Sequence, residues 1–262
     1  MAPVDADASR ALTAAAGVVD ADSLPRLLPF LDREPVREAA AQACLAAADA
    51  ALAAGKREPA VAGLTRLALL PSPLAVADAA AEKLRGLGVA VDVAQARGCI
   101  TNWWLLGPFP NAGQEAYAPE KGVALDTPVT LAGKELHWRP WQEVKSTQGV
   151  VELLDVLGPA ENTACYAYAE ITSERAQDVF LKGGSDDGML LWLNGERLIE
   201  APNPRPLRVD DNAARAHLHA GVNRLLVKVL QGSSRWAFCV RLTDADGKPL
   251  PLPQKQALPA AP

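Results

Sequence analysis

The chain has 262 residues, of which 49% are hydrophobic and 22% are charged, a composition typical of globular domains and long enough for two of them. Its formal net charge is −5 and no block of lysine and arginine stands out, so we expect neither nucleic acid nor an anionic membrane surface as a partner. No apolar run approaches the roughly 20 residues that a membrane-spanning helix needs, which argues against membrane insertion.

The N-terminus carries two aspartates, Asp5 and Asp7, before any apolar stretch. A secretory signal starts with positive charge and continues into an unbroken apolar segment, so we expect no signal peptide here. Two origins stay open: a cytoplasmic chain, or a piece of a larger periplasmic or secreted protein.

Residues 1–97 are rich in alanine and leucine, with Phe30 as their one aromatic residue, and they carry a helical pattern. A leucine stripe at helical spacing runs from Leu24 to Leu31. Further helices are predicted over 36–54, 59–70 and 74–87, separated by turns that contain glycine or proline.

Residues 24–52 resemble a HEAT-type repeat, because a leucine-rich helix and a turn containing Asp32 lead into Val-Arg-Glu-Ala-Ala at 36–40. Residues 59–87 resemble a second, looser repeat. The resemblance implies stacked helical hairpins that offer a surface to a protein partner, and about three such repeats are needed for stability. A plain helical bundle stays open as the alternative.

Near Gly98 the pattern changes, and all six tryptophans and all three tyrosines lie beyond this residue. Apolar residues then recur with period 2 in short segments, which predicts an antiparallel β-sandwich or jelly roll over 98–250. The segments are 100–109, 135–141, 150–157, 164–172, 178–184, 189–200, 214–220, 223–231 and 236–244. We therefore expect an α+β chain with two segregated domains, 1–97 and 98–250, and a loose Pro/Ala-rich tail at 251–262.

Two local patterns support this prediction. Asn194-Gly195 between apolar arms indicates a two-residue hairpin, because both positions of that turn need positive φ. In residues 236–242 the large apolar side chains alternate and share one strand face, which we assign to the core.

Three segments of this region resemble the galactose-binding-like jelly rolls: WWLLGPFPN (103–111), LKGGSDDGMLLWLNGERL (181–198) and HLHAGVNRLLVKVL (217–230). More narrowly, they are similar to the sugar-binding domains of β-galactosidase-type glycoside hydrolases and to the protective-antigen-type glycan-binding domain. The resemblance covers roughly residues 100–247 and implies a jelly-roll fold and a carbohydrate ligand. Many members are structural spacers, so the fold alone does not give the ligand.

Asp186 and Asp187 are adjacent in a glycine-rich loop. In protective-antigen-type members a paired-aspartate loop holds calcium, which holds sugar hydroxyls, so the resemblance implies a calcium site at these two residues. Calcium takes six to eight oxygen ligands, and Asp210 and Asp211 form a second oxygen-rich turn that would face the same rim. The alternative is turn chemistry, since aspartate side chains accept nearby backbone N–H groups.

Aromatic rings stack on sugars, and we expect Trp138 and Trp141 to be the exposed rings. Trp103 and Trp104 must point to opposite faces of one strand. Ile100 and Leu106 fall on the Trp104 side, and Leu105 on the Trp103 side. We expect one of these faces in the sandwich core and the other against the helical domain.

His217 and His219 share one strand face, but no third metal ligand is evident and we expect no metal there. The four cysteines also lack metal-ligand spacing. We expect free, buried thiols, with a Cys165–Cys239 disulfide as the alternative.

The sequence contains no motif of a serine hydrolase, a phosphate loop or a zinc protease. Asp186 and Asp187 are neighbours, so they cannot flank a substrate as the two carboxylates of a glycosidase do. We therefore expect a non-catalytic protein. Two hypotheses stay open: a carbohydrate-binding accessory module attached to helical repeats, or a scaffold whose β-sandwich caps the repeats and binds no sugar. Exposed rings beside the acidic loops would favour the first hypothesis, and buried rings the second.

Overall fold

The computed structural model describes residues 3–70, 73–111, 115–143 and 146–256. Helices occupy the N-terminal part of the chain and antiparallel sheets the C-terminal part, so the α+β prediction is confirmed. The chain divides into two compact units, Met1–Val93 and Ala94–Pro262.

The helical unit contains α1 (Pro3–Ala15), α2 (Leu24–Leu27), α3 (Arg37–Ala53), α4 (Arg57–Ala68) and α5 (Leu74–Gly86). The helices predicted over 36–54, 59–70 and 74–87 are therefore present, with ends shifted by one or two residues. α1 was missed, because its alanine- and aspartate-rich sequence has no leucine stripe. None of the described helices is both long and apolar enough to cross a membrane.

The leucine stripe does not lie on one continuous α-helix. α2 ends at Leu27, and the chain continues as a 3₁₀ helix over Leu28–Asp32. Pro29 explains the change, since proline lacks the N–H that an α-helix would donate to the carbonyl four residues earlier. Leu24, Leu27 and Leu31 are nevertheless buried.

Small residues let the helices approach one another closely. α3 packs against α4, and α4 packs against α5. Ala40, Ala43 and Ala47 are fully buried on α3, and a Cβ at Gly63 of α4 would lie 2.5 Å from the Leu24 side chain. Neighbouring helices thus pack as successive pairs, and the HEAT-type assignment stays a prediction.

The β unit begins with α6 (Val93–Ala96), which joins the two units, and contains α7 (Leu153–Leu157). Its strands are β1 (Asn102–Pro110), β2 (Val129–Leu131), β3 (Lys134–Leu136), β4 (Arg139–Gln142), β5 (Val151–Glu152), β6 (Thr163–Ser173), β7 (Gln177–Asp186), β8 (Met189–Leu193), β9 (Glu196–Ala201), β10 (Asn212–Leu218), β11 (Gly221–Gln231) and β12 (Ala237–Thr243). They form a six-stranded sheet in the order β4-β1-β6-β11-β8-β9, a four-stranded sheet in the order β10-β7-β12-β5, and a β2-β3 hairpin.

The strand predicted over 150–157 is wrong beyond its start. Only Val151–Glu152 pairs as β5, and the chain then turns into α7. Leu153, Val156 and Leu157 have helical spacing, and Gly158 ends the helix at φ 82°. The apolar composition of residues 150–157 suits either a strand or a helix. Gly158, which follows directly, favours the helix.

The two larger sheets face each other across one core. Apolar residues of β1, β6, β8 and β11 meet those of β7 and β12, and the Trp103 and Phe238 rings lie 5.0 Å apart between centroids. The predicted core face of β12 and its flank is confirmed: Trp236, Phe238, Val240 and Leu242 are all in this core.

All four cysteines are free and buried, as predicted. The alternative Cys165–Cys239 disulfide is not formed, and the strand faces explain why. Cys165 lies in the core between the sheets. Cys239 lies on the other face of its sheet, where a Cβ at Gly184 would be 3.5 Å from its Sγ.

The outer face of the six-stranded sheet carries a second apolar layer, which includes Trp104, Leu106 and Tyr168. Residues 117–136, here called the cover segment, pack on this layer through partly buried side chains. The face of β1 that carries Trp104 is thus covered by the β unit's own chain, where the sequence predicted the helical domain for one face. Ile100, predicted on the Trp104 side, lies in the inter-sheet core with Trp103, because β1 begins only at Asn102 and the alternation does not extend back to it.

The tail is not loose over the part that the structure describes. The backbone N–H of Thr172 donates to Pro253 O at 2.9 Å, and the N–H of Lys255 donates to Glu170 O at 2.9 Å. Gln254 Oε1 accepts the N–H of Thr101 at 2.8 Å. The prediction of a loose tail is therefore wrong for residues 253–255, while 257–262 lie outside the described residues.

The predicted hairpin turn joins β8 to β9. Asn194 has φ 52° and Gly195 has φ 88°. Asn194 also donates from Nδ2 to Asn223 Oδ1 at 2.9 Å. Asn223 is fully buried and accepts the N–H of His219 at 2.9 Å, so one amide pair fixes this turn and the neighbouring β10–β11 turn.

Replacing Gly195 by alanine should destabilise the β unit by about 1–2 kcal/mol, the strain of an L-residue at positive φ. A Cβ at this position would meet no atom within 4 Å, so the effect is backbone strain alone. The measurement is urea unfolding followed by tryptophan fluorescence, since every tryptophan lies in the β unit.

Gly86→Ala is the matched control, because Gly86 is helical and equally uncrowded. It should stabilise the helical unit by up to about 1 kcal/mol, as followed by circular dichroism. Equal effects of the two alanines would contradict the assigned turn.

Candidate functional site

The acidic residue Asp186 ends β7 on the outer face of the four-stranded sheet. β12 lies between β7 and β5, and its Ala237 pairs with Asp186 on one side and with Glu152 on the other. Arg235, just before β12, donates from Nε to both carboxylate oxygens of Glu152 at 3.2 Å. Two acids and one arginine are thus brought together by strand register.

A cleft of about 330 Å³ opens beside this group, at the edge strands β4 and β5 of the two sheets. Its lining includes Trp141, Glu143, Ser146, Glu152, Asp155 and Arg235. An aromatic ring with several converging polar groups is the usual composition of a small-molecule site.

Trp141 is the one sequence-predicted ring that reaches this cleft. It is half-buried, and its Nε1 is shielded from solvent without a hydrogen-bond partner among the described residues. A buried indole N–H without an acceptor is unfavourable. Because solvent does not reach it, the exposed part of the Trp141 ring is what the cleft offers to a ligand.

Trp138 does not line this cleft. It is 9% exposed and lies in the second apolar layer, with its ring centroid 6.2 Å from that of Tyr168. The prediction that it is an exposed ring is therefore wrong, because the cover segment and the sheet enclose it.

Asp187 performs turn chemistry. Its Oδ2 accepts the N–H of Gly232 at 2.6 Å, and its backbone N–H donates to Leu230 O at 3.1 Å. Its carbonyl accepts the Ser185 hydroxyl at 2.9 Å. The side chain thus fixes the start of the loop after β11.

Asp186 carries the less favourable charge of the pair. Burial raises its pKa above the ordinary value, and the negative charges of Asp187 and Glu152 raise it further. A hydrogen bond from the Leu207 backbone and the charge of Arg235 offset this only in part. A carboxylate with a raised pKa is a feature of ligand sites. Asp186 is separated from Glu152 of the cleft by one strand, β12.

Asp210 and Asp211 are both held by basic side chains. Arg241 binds both carboxylate oxygens of Asp210 through Nε and Nη2, and Lys182 Nζ lies 3.5 Å from Oδ2. Burial would raise the pKa of Asp210, but these two bases hold it below the ordinary value. Asp211 Oδ2 lies 3.3 Å from Arg205 Nη1.

A calcium ion at Asp186 and Asp187 would find few protein ligands. Each carboxylate already accepts one backbone N–H, and Asp210 is occupied by Arg241. Within the described ranges no group of three or more His, Cys, Asp and Glu residues is placed to hold a metal. Calcium would need backbone carbonyls, water or sugar hydroxyls for most of its six to eight ligands, so the calcium site stays a prediction.

His217 lies elsewhere on the four-stranded sheet and pairs with Asp178, with Nδ1 2.7 Å from Oδ1. Its ring is 5.9 Å from that of His219 between centroids. The two histidines do not contribute to the cleft.

Sequence reasoning missed Arg235, Glu152 and Glu143. Glu152 and Arg235 are far apart in the chain and meet only because β5 pairs with β12. Trp138 and Trp141 were both predicted as exposed rings, but they are three residues apart in the predicted strand 135–141. An odd spacing puts two side chains of a strand on opposite faces, so the sequence could have indicated that only one of these rings is exposed.

No protein-family model and no curated protein matches the sequence. Among solved structures, the chain is similar to the PA14 domain of the MpAFP antifreeze protein, at 13% identity and a TM-score of 0.31, over 38% of this chain and 55% of that one. It is also similar to a PA14 sugar-binding domain from an RTX adhesin, at 11% identity and a TM-score of 0.28, over 35% of this chain and 51% of that one.

A β-glucosidase from Kluyveromyces marxianus is similar at 13% identity and a TM-score of 0.36, over 54% of this chain and 16% of that enzyme. The chain thus spans about half the length of the PA14 structures and less of the enzyme. At these identities and TM-scores the similarity assigns neither a ligand nor an activity to the chain.

The two aspartates should respond oppositely to neutralisation. At pH 7, Asp210→Asn should lower the free energy of unfolding by about 1–3 kcal/mol, because it leaves Arg241 unpaired. Asp186→Asn should raise it, since the amide still accepts the Leu207 N–H and removes a disfavoured charge. Urea unfolding of the full chain measures both.

The pH dependence follows from the pKa directions. The depressed pKa of Asp210 gives stability above an unfolded pKa of about 3.9 that is lost as the pH falls through the folded value. The raised pKa of Asp186 means that its disfavoured charge is absent at low pH. The differences in the free energy of unfolding between each variant and the wild type should shrink from pH 7 to pH 3. A loss of stability in both variants at pH 7 would contradict the opposite pKa directions assigned to Asp186 and Asp210.

Proposed function

We propose that the β unit is a non-catalytic carbohydrate-binding module and that the Trp141 cleft receives a sugar ring. The observation that carries the proposal is the half-buried Trp141 ring, in one cleft with Glu152, Asp155 and Arg235. The cleft volume of about 330 Å³ is near the lower end of the range for ligand pockets and suits one or two sugar rings.

The cleft groups match sugar chemistry. The flat face of the Trp141 indole can pack on the C–H face of a pyranose. Arg235 and Glu152 hold each other in a fixed geometry, so their remaining donors and acceptors are oriented for neighbouring hydroxyls. Fixed polar groups reduce the ordering that binding requires.

Asp186 lies beside this cleft and has a place in the same proposal. Its disfavoured charge would be relieved by a cation, and a calcium ion bound there would present open coordination positions to sugar hydroxyls. Calcium is therefore an optional component, and sugar binding at Trp141 does not require it.

The non-catalytic part of the proposal rests on the acids of the cleft. Glycoside hydrolysis needs two carboxyl groups on either side of the scissile bond, one of them able to donate a proton. Glu152 is bound by Arg235 through both oxygens, so neither oxygen is free to act on a glycosidic bond.

A scaffold that binds no sugar is the second candidate, because Trp138 is buried and Asp210 and Asp211 are each held by a base. In that function the helical unit supplies the surface for a protein partner. The two candidates differ in the outcome of one experiment.

We expect the full chain to bind at least one neutral oligosaccharide on a glycan array, and calorimetric titration with that oligosaccharide gives its Kd. Trp141→Ala should raise the Kd at least tenfold, which corresponds to about 1.4 kcal/mol. Trp141→Phe keeps an aromatic face of smaller area, so it should raise the Kd by a smaller factor. Titrations with calcium and with EDTA show whether a metal takes part.

His217→Ala is the control, because His217 is exposed on a different part of the same unit and should leave the Kd unchanged. An array without a bound glycan, or equal losses in the His217 and Trp141 variants, would contradict the sugar-binding proposal and leave the scaffold. A Kd that is the same with calcium and EDTA would contradict the calcium site alone.

A further inference from the structure

A second concave site lies on the outer face of the six-stranded sheet, away from Trp141. It is a groove of about 350 Å³ between the start of the cover segment at Pro119–Val123 and the Asn194–Gly195 turn. Tyr168, Trp192 and Leu226 form its floor. The groove forms because the cover segment does not extend over this side of the apolar layer.

The floor is rigid. Tyr168, Leu226 and Trp192 occupy adjacent positions in a cross-strand row of β6, β11 and β8. They are 5%, 8% and 8% exposed, so each is held by its neighbours and only one surface faces the groove. Val222, an exposed apolar residue at 48%, extends this surface to the rim.

The charges around the groove are positive on balance. Lys121 and Arg224 line it and are exposed. Its acid, Glu120, accepts the Tyr166 hydroxyl at 2.5 Å and is 3.0 Å from Lys228 Nζ. The negative charge of Glu120 is therefore matched inside the protein.

Arg224 keeps donors free for a ligand. Its side chain is 62% exposed, and its Nε is 3.7 Å from Glu170. Glu170 already accepts the Tyr168 hydroxyl at 2.7 Å and is 3.0 Å from Lys255 Nζ. The terminal nitrogens of Arg224 can thus form the paired hydrogen bonds that a carboxylate accepts. This is a positive site on a chain with a net charge of −5.

We propose that this groove binds an acidic sugar ring of the uronic acid class. The C–H face of the ring contacts Val222 and the exposed edge of Trp192 and Leu226, and the carboxylate binds Arg224 with Lys121 close by. The flat apolar floor selects a ring, and the arginine beside it selects an anion. This site is separate from the Trp141 cleft and does not rest on the function proposed for it.

The test is calorimetric titration of the full chain with a trigalacturonate, with a neutral galactose trisaccharide of the same length, and with benzoate as an anionic ring that is not a sugar. Arg224→Gln should raise the Kd for trigalacturonate at least tenfold. The matched control is Arg215→Gln. Arg215 is an exposed arginine that lies over Phe180 on the other sheet, so its replacement leaves the groove unchanged.

Trp192→Phe tests the floor while keeping an aromatic side chain in the layer. It should weaken trigalacturonate binding, and because Trp192 is buried it should also lower the unfolding midpoint, so the titration is done at a temperature where the variant is fully folded. The proposal is overturned if trigalacturonate does not bind, if benzoate or the neutral trisaccharide binds equally well, or if the two arginine variants lose affinity alike. It is also overturned if Trp141→Ala abolishes trigalacturonate binding, because the ligand would then lie in the other cleft. Failure of the neutral glycan to bind at Trp141 leaves these outcomes unchanged.

Discussion

The β unit depends on one constraint: its six-stranded sheet is apolar on both faces, and both must be removed from water. The four-stranded sheet covers the inner face, where Trp103 meets Phe238. The cover segment packs on the outer face, above Trp104 and Tyr166. The two proposed ligand sites lie at the margins of these two contacts. One is at the edge between the sheets, and the other is beside the start of the cover segment.

A buried ion pair fixes the position of the cover segment. Lys228 points from β11 into the second apolar layer and is 2% exposed. Its Nζ donates to Glu115 O and lies 3.0 Å from Glu120 Oε1, which also accepts the Tyr166 hydroxyl. A buried lysine without a partner would be strongly unfavourable, so moving the segment away from Lys228 would cost stability. We infer that the pair determines where the groove beside Trp192 begins.

The sequence predicts what depends on neighbouring residues. The Asn194–Gly195 turn, the alternating face from Trp236 to Leu242 and the change from helix to sheet all follow from local pattern, and the structure shows them. The second apolar face of β1 was also predictable from Trp103 and Trp104. What would cover it was not, because a segment without regular pattern, 117–136, fills that place.

The site was less predictable than the fold, since it is assembled by long-range pairing. Arg235 meets Glu152 only through the register of β5 and β12, and Asp210 is neutralised by Arg241 from another strand. Acidic loops identified from sequence therefore carried too little information about which carboxylates are already bound.

Hydrogen exchange with mass spectrometry on wild type and Glu120→Gln tests most directly whether the buried pair holds the cover. The account predicts at least tenfold faster exchange in the β2–β3 hairpin of the variant, with amides of β6 and β11 unchanged. Equal acceleration throughout the β unit, or no acceleration in β2 and β3, would contradict it.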